Sequence, residues 1–257
     1  MRFDKKRVLL TGGSGGLGRL ICSRLIERGA AVTIVDRQPP GMPGAAYIEG
    51  DLASPQGLEA LAEEVARQPW DVLINLAGVQ YFGPAEHQAP DQLVAGYMVN
   101  LVAPARLIQA VLPGMKAHGF GRIVNVGSIF GSINFAYFAT YSSAKAGLKG
   151  LSQALRRELA HTGVDVTYVA PRAVKTPLNS AAVLDYAALT KMTMDHPDDV
   201  AELIVSAIES DGRDVYLGFP ESLFVRVNAL FPRLVDRALR AKDMKARALF
   251  SHKGAHP

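Results

Sequence analysis

Tyr141 and Lys145, in the run Tyr141-Ser-Ser-Ala-Lys145, carry the strongest chemical signal in the chain. The periodicity over residues 141–161 predicts a helix, on which positions i and i+4 project from one face. A phenol that titrates near pH 10, about three units above neutrality, is a poor base. A neighbouring ammonium stabilises the phenolate and brings that value down. Such a pair can take a proton from an alcohol or give one to a carbonyl oxygen. The plain alternative is a surface Tyr–Lys pair. Ser128 ends the apolar run in VNVGSIFG, where its hydroxyl can hydrogen-bond a reacting oxygen; alone, such a serine is a turn residue.

A second signal lies near the start, in Thr11-Gly12-Gly13-Ser14-Gly15-Gly16-Leu17-Gly18. The run falls between an apolar strand and a helix. There, glycines permit a tight turn and let the backbone approach a pyrophosphate, which the free N–H groups at the helix start then face. Asp36 ends the next strand. Its carboxylate suits the adenosine ribose hydroxyls and repels a 2′-phosphate, which favours NAD(H). Arg37 beside it keeps NADP(H) as the alternative.

The elements that must position these groups alternate along the chain. Strands are predicted at residues 7–11, 31–36, 46–49, 71–75, 122–126, 164–169 and 215–217. Helices are predicted at 16–28, 55–68, 90–117 and 141–161, with Pro104 and Pro113 disturbing the third. Strands apolar throughout and separated by helices form a parallel sheet covered on both faces. The fold class is therefore α/β, a Rossmann-type doubly wound sheet in a single domain, with a helical extension at the C-terminal end. Residues 1–220 are assigned to the catalytic, dinucleotide-binding domain and 221–257 to the extension.

Taken in order, these motifs resemble the short-chain dehydrogenase/reductase superfamily over nearly the whole chain up to Leu217. The glycine run is similar to that family's Thr-Gly-x-x-x-Gly-x-Gly turn. Asn75-Leu76-Ala77-Gly78 resembles its Asn-Asn-Ala-Gly motif, with Leu in the second place. The resemblance implies a catalytic tetrad of Asn100, Ser128, Tyr141 and Lys145, with Asn100 holding a water that relays protons from Lys145. It implies cofactor contacts from Thr11, Gly12, Ser14, Gly16, Leu17, Gly18, Asp36, Arg37, Asn75, Ala77, Gly78, Tyr141 and Lys145. Asp51 and Leu52 would lie along the adenine, and Val174 and Thr176 at the nicotinamide carboxamide. It also implies homodimers or homotetramers built on the helices that carry Asn100 and Tyr141. Arg172 departs from the pattern, standing after Pro171 where the family has Gly.

Residues 177–196 are expected to form a lid over the substrate. Leu178, Val183, Leu184, Tyr186, Leu189, Met192 and Met194 would make an apolar pocket with Tyr81, Phe82, Phe130, Ile133 and Phe135. The expected substrate is an apolar small-molecule alcohol or ketone, aliphatic or ring-bearing, and a 3-oxoacyl-type reductase is the runner-up. A dinucleotide-binding sensor or scaffold without catalysis is the alternative of another class; a sugar-nucleotide epimerase fits the glycine spacing less well.

Composition narrows the remaining classes. The 257 residues are 49% apolar and 20% charged, a globular balance. No apolar run is expected to cross a bilayer, and no export signal is read at the start. The single Cys22 excludes an internal disulfide, and the six histidines show no metal-ligand spacing, so no metal is expected. A cytoplasmic setting fits that cysteine usage. Net charge is +4, but residues 226–257 alone carry +6. No nucleic-acid partner is expected from a basic tail alone. Pro232 should divide the tail into two helices, the second with Leu234, Val235, Ala238, Leu239 and Leu249 on one face, interrupted by Lys242 and Lys245. Packing on its own domain, covering a neighbouring subunit and contact with an anionic membrane surface are all open readings.

Overall fold

Strands apolar on both sides cannot leave either face in water, and the computed structural model, which describes residues 1–251, stacks them in one parallel seven-stranded sheet. In chain order the elements are β1 (Arg7–Thr11), α1 (Gly16–Glu27), β2 (Ala31–Asp36), β3 (Ala45–Glu49), α2 (Pro55–Ala66), β4 (Val72–Asn75), α3 (Pro90–Tyr97), α4 (Ala103–His118), β5 (Gly121–Val126), α5 (Ala139–Glu158), β6 (Val164–Ala170), α6 (Ala181–Thr190), α7 (Pro197–Glu209), β7 (Asp214–Tyr216), α8 (Glu221–Leu230) and α9 (Pro232–Ser251). The sheet order is β3-β2-β1-β4-β5-β6-β7. The chain runs outward from β1 to β3 and then returns to β4 on the other side of β1. That reversal opens a crevice at the carboxyl ends of β1 and β4.

Alternate residues of each strand feed two cores. Val8, Leu10, Ile34 and Ile74 pack with Ile21 and Leu25 of α1 and Ile204 and Ile208 of α7. Leu9, Val35, Leu73 and Ile123 point the other way, onto Leu58 and Leu61 of α2 and Leu107 and Val111 of α4. Each such side chain contributes roughly 2 kcal/mol when fully buried, so the sheet forms a rigid platform under its own loops. Local signals fix the ends: Ser54 caps α2 by accepting from Gly57 N–H at 3.1 Å, with Pro55 in the first turn.

The long helix expected at 90–117 is present but not uniform. Between α3 and α4 the turn Met98–Val102 widens to π geometry, and Ala103 N–H bonds back five residues to the Met98 carbonyl. Pro104 offers no N–H to the carbonyl one turn before it, so the regular ladder cannot close there. Pro113 is accommodated inside α4. The sequence reading found no apolar run long enough for a bilayer. Pro90–His118 is long and apolar enough, but half of its most apolar stretch is buried inside the protein, as a core helix.

The tail packs on the rest of the chain. Val235 and Ala246 of α9 are buried with Val183 and Tyr186 of α6. The Phe250 ring centre lies 5.1 Å from those of both Phe82, which it meets edge-on, and Tyr137. The expected apolar face is only partly the packed one, since Leu234 remains exposed. Lys245, expected to interrupt the face, donates at 3.1 Å to the Leu189 carbonyl near the end of α6, a group left unpaired by the helix. Residues 252–257 of the expected tail lie outside the described residues.

Candidate active site

β1 ends in Thr11, whose Oγ1 accepts from the backbone N–H groups of Leu76 and Ala77, both at 3.1 Å. The first and fourth strand exits are thereby tied together. Gly12 takes φ +72°, a left-handed conformation, with Ala77 backbone so close that a Cβ would stand 2.8 Å from its Cα. At Gly18 a Cβ would collide with the Gly12 carbonyl oxygen. α1 then starts with no side-chain cap and no acidic residue in its first turn. Its leading N–H groups are left for an anion.

Asp36, at the end of β2, accepts from Ser14 N–H at 3.0 Å with one oxygen and from Arg37 N–H at 2.8 Å with the other. Each carboxylate oxygen retains acceptor capacity for a hydroxyl. The Arg37 side chain is exposed. A cavity of about 530 Å³ runs from Gly12, Gly16, Leu17, Gly18, Asp36 and Arg37 past Asp51, Leu52, Ala77 and Gly78 to Ser128, Tyr141 and Lys145. Val174 and Thr176 line its other wall. The glycine cradle, the uncapped helix start and the strand-end carboxylate together fit an adenine dinucleotide. Thr11, Ser14, Asn75 and Asn100 do not line the cavity. Asn75 is buried and donates at 2.8 Å to Asn125, whose own amide reaches Ser152 at 2.9 Å.

Tyr141 and Lys145 lie in the first turns of α5, with the Lys145 ammonium 5.8 Å from the Tyr141 ring centre. Lys145 is 3% exposed, and its Nζ donates to the Val126 carbonyl at 3.0 Å. Burial lowers its pKa to about 8, which keeps the ammonium the main form at pH 7. Burial pushes the Tyr141 phenol up to about 12, while the Ser128 hydroxyl beside it pulls the other way. The free protein therefore holds a protonated phenol. Asn100, on the π turn, donates to the carbonyls of Gly96 and Val79, each at 2.8 Å. Its Oδ1 is buried with no hydrogen-bond partner among the described residues. A Cβ on Gly78 would stand 3.0 Å from that oxygen and 3.8 Å from Lys145 Nζ, so the Asn100 amide oxygen and the ammonium both lie close to Gly78.

One positioning residue is not signalled by the sequence, and a second is singled out there without its partners. Tyr168 of β6 is fully buried, and its hydroxyl donates to the Ser128 carbonyl at 3.2 Å. Gly127 makes room for it, since a Cβ there would collide with the Tyr168 ring. A buried tyrosine must satisfy its hydroxyl, and this one steadies the Ser128 turn. The second is Arg172. Its guanidinium donates to both Asp195 oxygens at 2.8 and 2.6 Å, to Glu221 at 3.0 Å and to the Phe219 carbonyl at 2.9 Å. The residue that departs from the family pattern is thus a strut joining the β6 exit, the end of the lid and the start of α8.

The apolar pocket differs from expectation. Leu178, Val183, Met192 and Met194 line the cavity, together with Phe130 and Phe138. Leu184 and Leu189 face outward, and Tyr186 is buried in packing. Phe82 stacks on Phe138 at 4.5 Å and belongs to the core. Tyr81 donates to the Pro84 carbonyl, while Ile133 and Phe135 line a separate cavity. After Ser128, Phe130 lines both cavities, whereas Ile133 and Phe135 line only the second. Among the described residues no cluster of three His, Cys, Asp or Glu is placed to hold a metal ion.

Comparison with known proteins matches residues 6–187 to the family described as short chain dehydrogenase. The ketoacyl reductase HetN of Nostoc sp. is 32% identical over 91% of this chain and 88% of its own. The 3-oxoacyl-[acyl-carrier-protein] reductase FabG of Vibrio cholerae is 32% identical over 70% of this chain and 78% of its own. Among solved structures, a short chain dehydrogenase from Burkholderia cenocepacia in complex with NADP superposes with a TM-score of 0.79, at 24% identity, over 93% of this chain and 99% of that one.

Proposed function

The chain belongs to the short-chain dehydrogenase family of oxidoreductases, which act on CH–OH groups, and on that premise we propose that it interconverts a hydroxyl and a carbonyl on an apolar substrate with Tyr141 and Lys145 as its acid–base pair. One observation carries this reading: a buried ammonium and a buried phenol, one helical turn apart, line the cavity whose far end is the glycine cradle. A nicotinamide supplies the hydride acceptor or donor there and, when oxidised, a positive charge. In oxidation the Tyr141 oxygen takes the hydroxyl proton; in reduction it returns one to the carbonyl oxygen. The Ser128 hydroxyl holds that oxygen in place, and the Lys145 ammonium favours the phenolate. Asn100 Oδ1 offers an acceptor for a water that relays the proton outward. A sensor without catalysis would have no use for three such groups on one wall.

The cofactor reading favours NAD(H), because the Asp36 carboxylate lines the cavity at the end of β2, where it suits ribose hydroxyls and repels a 2′-phosphate. NADP(H), as bound by the Burkholderia protein of the same fold, remains the alternative through Arg37. A panel of alcohols and ketones assayed with both cofactors is expected to give turnover on apolar members, with NAD(H) preferred about tenfold and the preference lost in Asp36→Ala. Turnover confined to small, highly polar compounds would reject the substrate class, and none with either cofactor would reject the activity. The names of HetN and FabG favour a second reading, reduction of a 3-oxoacyl group.

Two associations belong to the same proposal. Leu93, Val94, Tyr97 and Val102 are exposed along α3 and its continuation into α4, which supports a homodimer or homotetramer; sedimentation as a monomer would contradict it. In a cytoplasmic setting, the elbow of α8 and α9 would rest on an anionic membrane surface. Leu230, Phe231 and Leu234 are 73, 63 and 58% exposed there, beside Arg226, Arg233 and Arg237. The full chain is expected to float with vesicles containing phosphatidylglycerol and not with phosphatidylcholine alone. Equal recovery with both would contradict the charge dependence.

A further inference from the structure

Beside the first cavity lies a second, of about 310 Å³. Ile133 and Phe135 wall it on one side, and Phe224, Val227 and Leu239 on the other. The latter come from α8 and α9, beyond the residues 6–187 that the family match covers. Phe130, Arg172, Ala173 and Met192 wall both cavities. Folded interiors leave few voids larger than a water, whereas ligand cavities begin at about 300 Å³. A hollow of this size, walled mainly by apolar side chains, with Lys191, Glu221 and Lys242 also in its lining, and one residue deep from the catalytic cavity, is sized for a ligand with an apolar body.

The partition suits passage of a chain. Met192 is unbranched and readily changes rotamer, and Ala173 presents no more than a methyl. Arg172 is already neutralised by Asp195 and Glu221, so the wall it forms presents no unpaired charge to an apolar occupant. The same ion pairs hold the start of α8 against the end of the lid, which props the cavity open.

We propose that this second cavity receives the distal aliphatic chain of the substrate, so that the preferred substrate is a straight-chain carbonyl or hydroxyl compound long enough to pass Phe130 and Met192. The proposal rests on the reading of the first cavity as the site of oxidation and reduction. It is tested by assaying the full chain on straight-chain 2-alkanones of about four to twelve carbons with NADH and NADPH. Each buried methylene is expected to raise kcat/KM about fourfold until the cavity is filled. Ala238 lines the cavity from the outer helix and is exposed, so Ala238→Trp fills the space without disturbing the core. It should return long ketones to the kcat/KM of short ones and leave short ones unchanged. Leu234→Trp, at another exposed lining position, should do the same and guards against a folding defect in the first variant. A flat chain-length profile with turnover on short ketones overturns the second cavity and leaves the activity standing. A gain with length that survives in both filled variants also overturns it. No turnover on any ketone with either cofactor overturns the activity and the inference together.

Discussion

Replacing Tyr141 with Phe is expected to lower kcat by about 10²–10⁴-fold, the usual worth of a positioned general acid or base. Only one oxygen is lost. The ring keeps its edge-on contact with Phe130, 6.0 Å between centres, and its buried place in the cluster around the lid. Stability should therefore stay within about 1 kcal/mol, because that hydroxyl is buried and its nearest helper is the Ser128 hydroxyl. Cofactor affinity, measured by fluorescence titration, should be nearly unchanged. A variant that keeps wild-type turnover would remove Tyr141 from the chemistry. One that loses turnover and cofactor affinity together would make it a binding residue.

Gly18→Ala should act at the other end of the cavity and in the opposite way. A Cβ there meets the Gly12 carbonyl oxygen and stands 2.7 Å from Gly13 Cα. Both obstacles are backbone, so the turn itself must open. The first N–H groups of α1 would then no longer converge on the pyrophosphate. Dinucleotide affinity should fall at least a hundredfold, equivalent to about 2.7 kcal/mol, while the far-ultraviolet circular dichroism remains that of a folded chain. Affinity within a few-fold of wild type would mean that the phosphates lie elsewhere.

The parts of this molecule that sequence makes legible are those decided locally. Residues 72–75 and 121–126 form strands buried on both faces, and β-branched and apolar residues at Val72–Ile74 and Ile123–Val124 announce that. The Tyr141–Lys145 spacing and the strand–glycine–helix order also sit within one or two adjacent elements. Other features arise where distant segments meet. Tyr168 supports Ser128 from forty residues away, and nothing near Tyr168 in the chain signals it. Arg172 reads as an anomaly until Asp195 and Glu221 are seen around it. The π turn has a local cause in Pro104, but its effect, which is to bring Asn100 beside Gly78, depends on the neighbouring strand exit. For Phe130 and Phe135, both after Ser128, the fold class places them near the cavity but does not say which way the turn sends each side chain.

The central claim is that the Lys145 ammonium, together with an oxidised nicotinamide, draws down a phenol that burial, only partly offset by the Ser128 hydroxyl, holds up at about 12. Alcohol oxidation needs the phenolate, so its rate rises with pH through the phenol's pKa. The direct measurement is the pH dependence of kcat/KM for oxidation in the wild type and in Lys145→Met. Without the ammonium the rising limb should move at least one unit to higher pH, with kcat at neutral pH at least tenfold lower. Superimposable profiles in the two proteins would contradict the account.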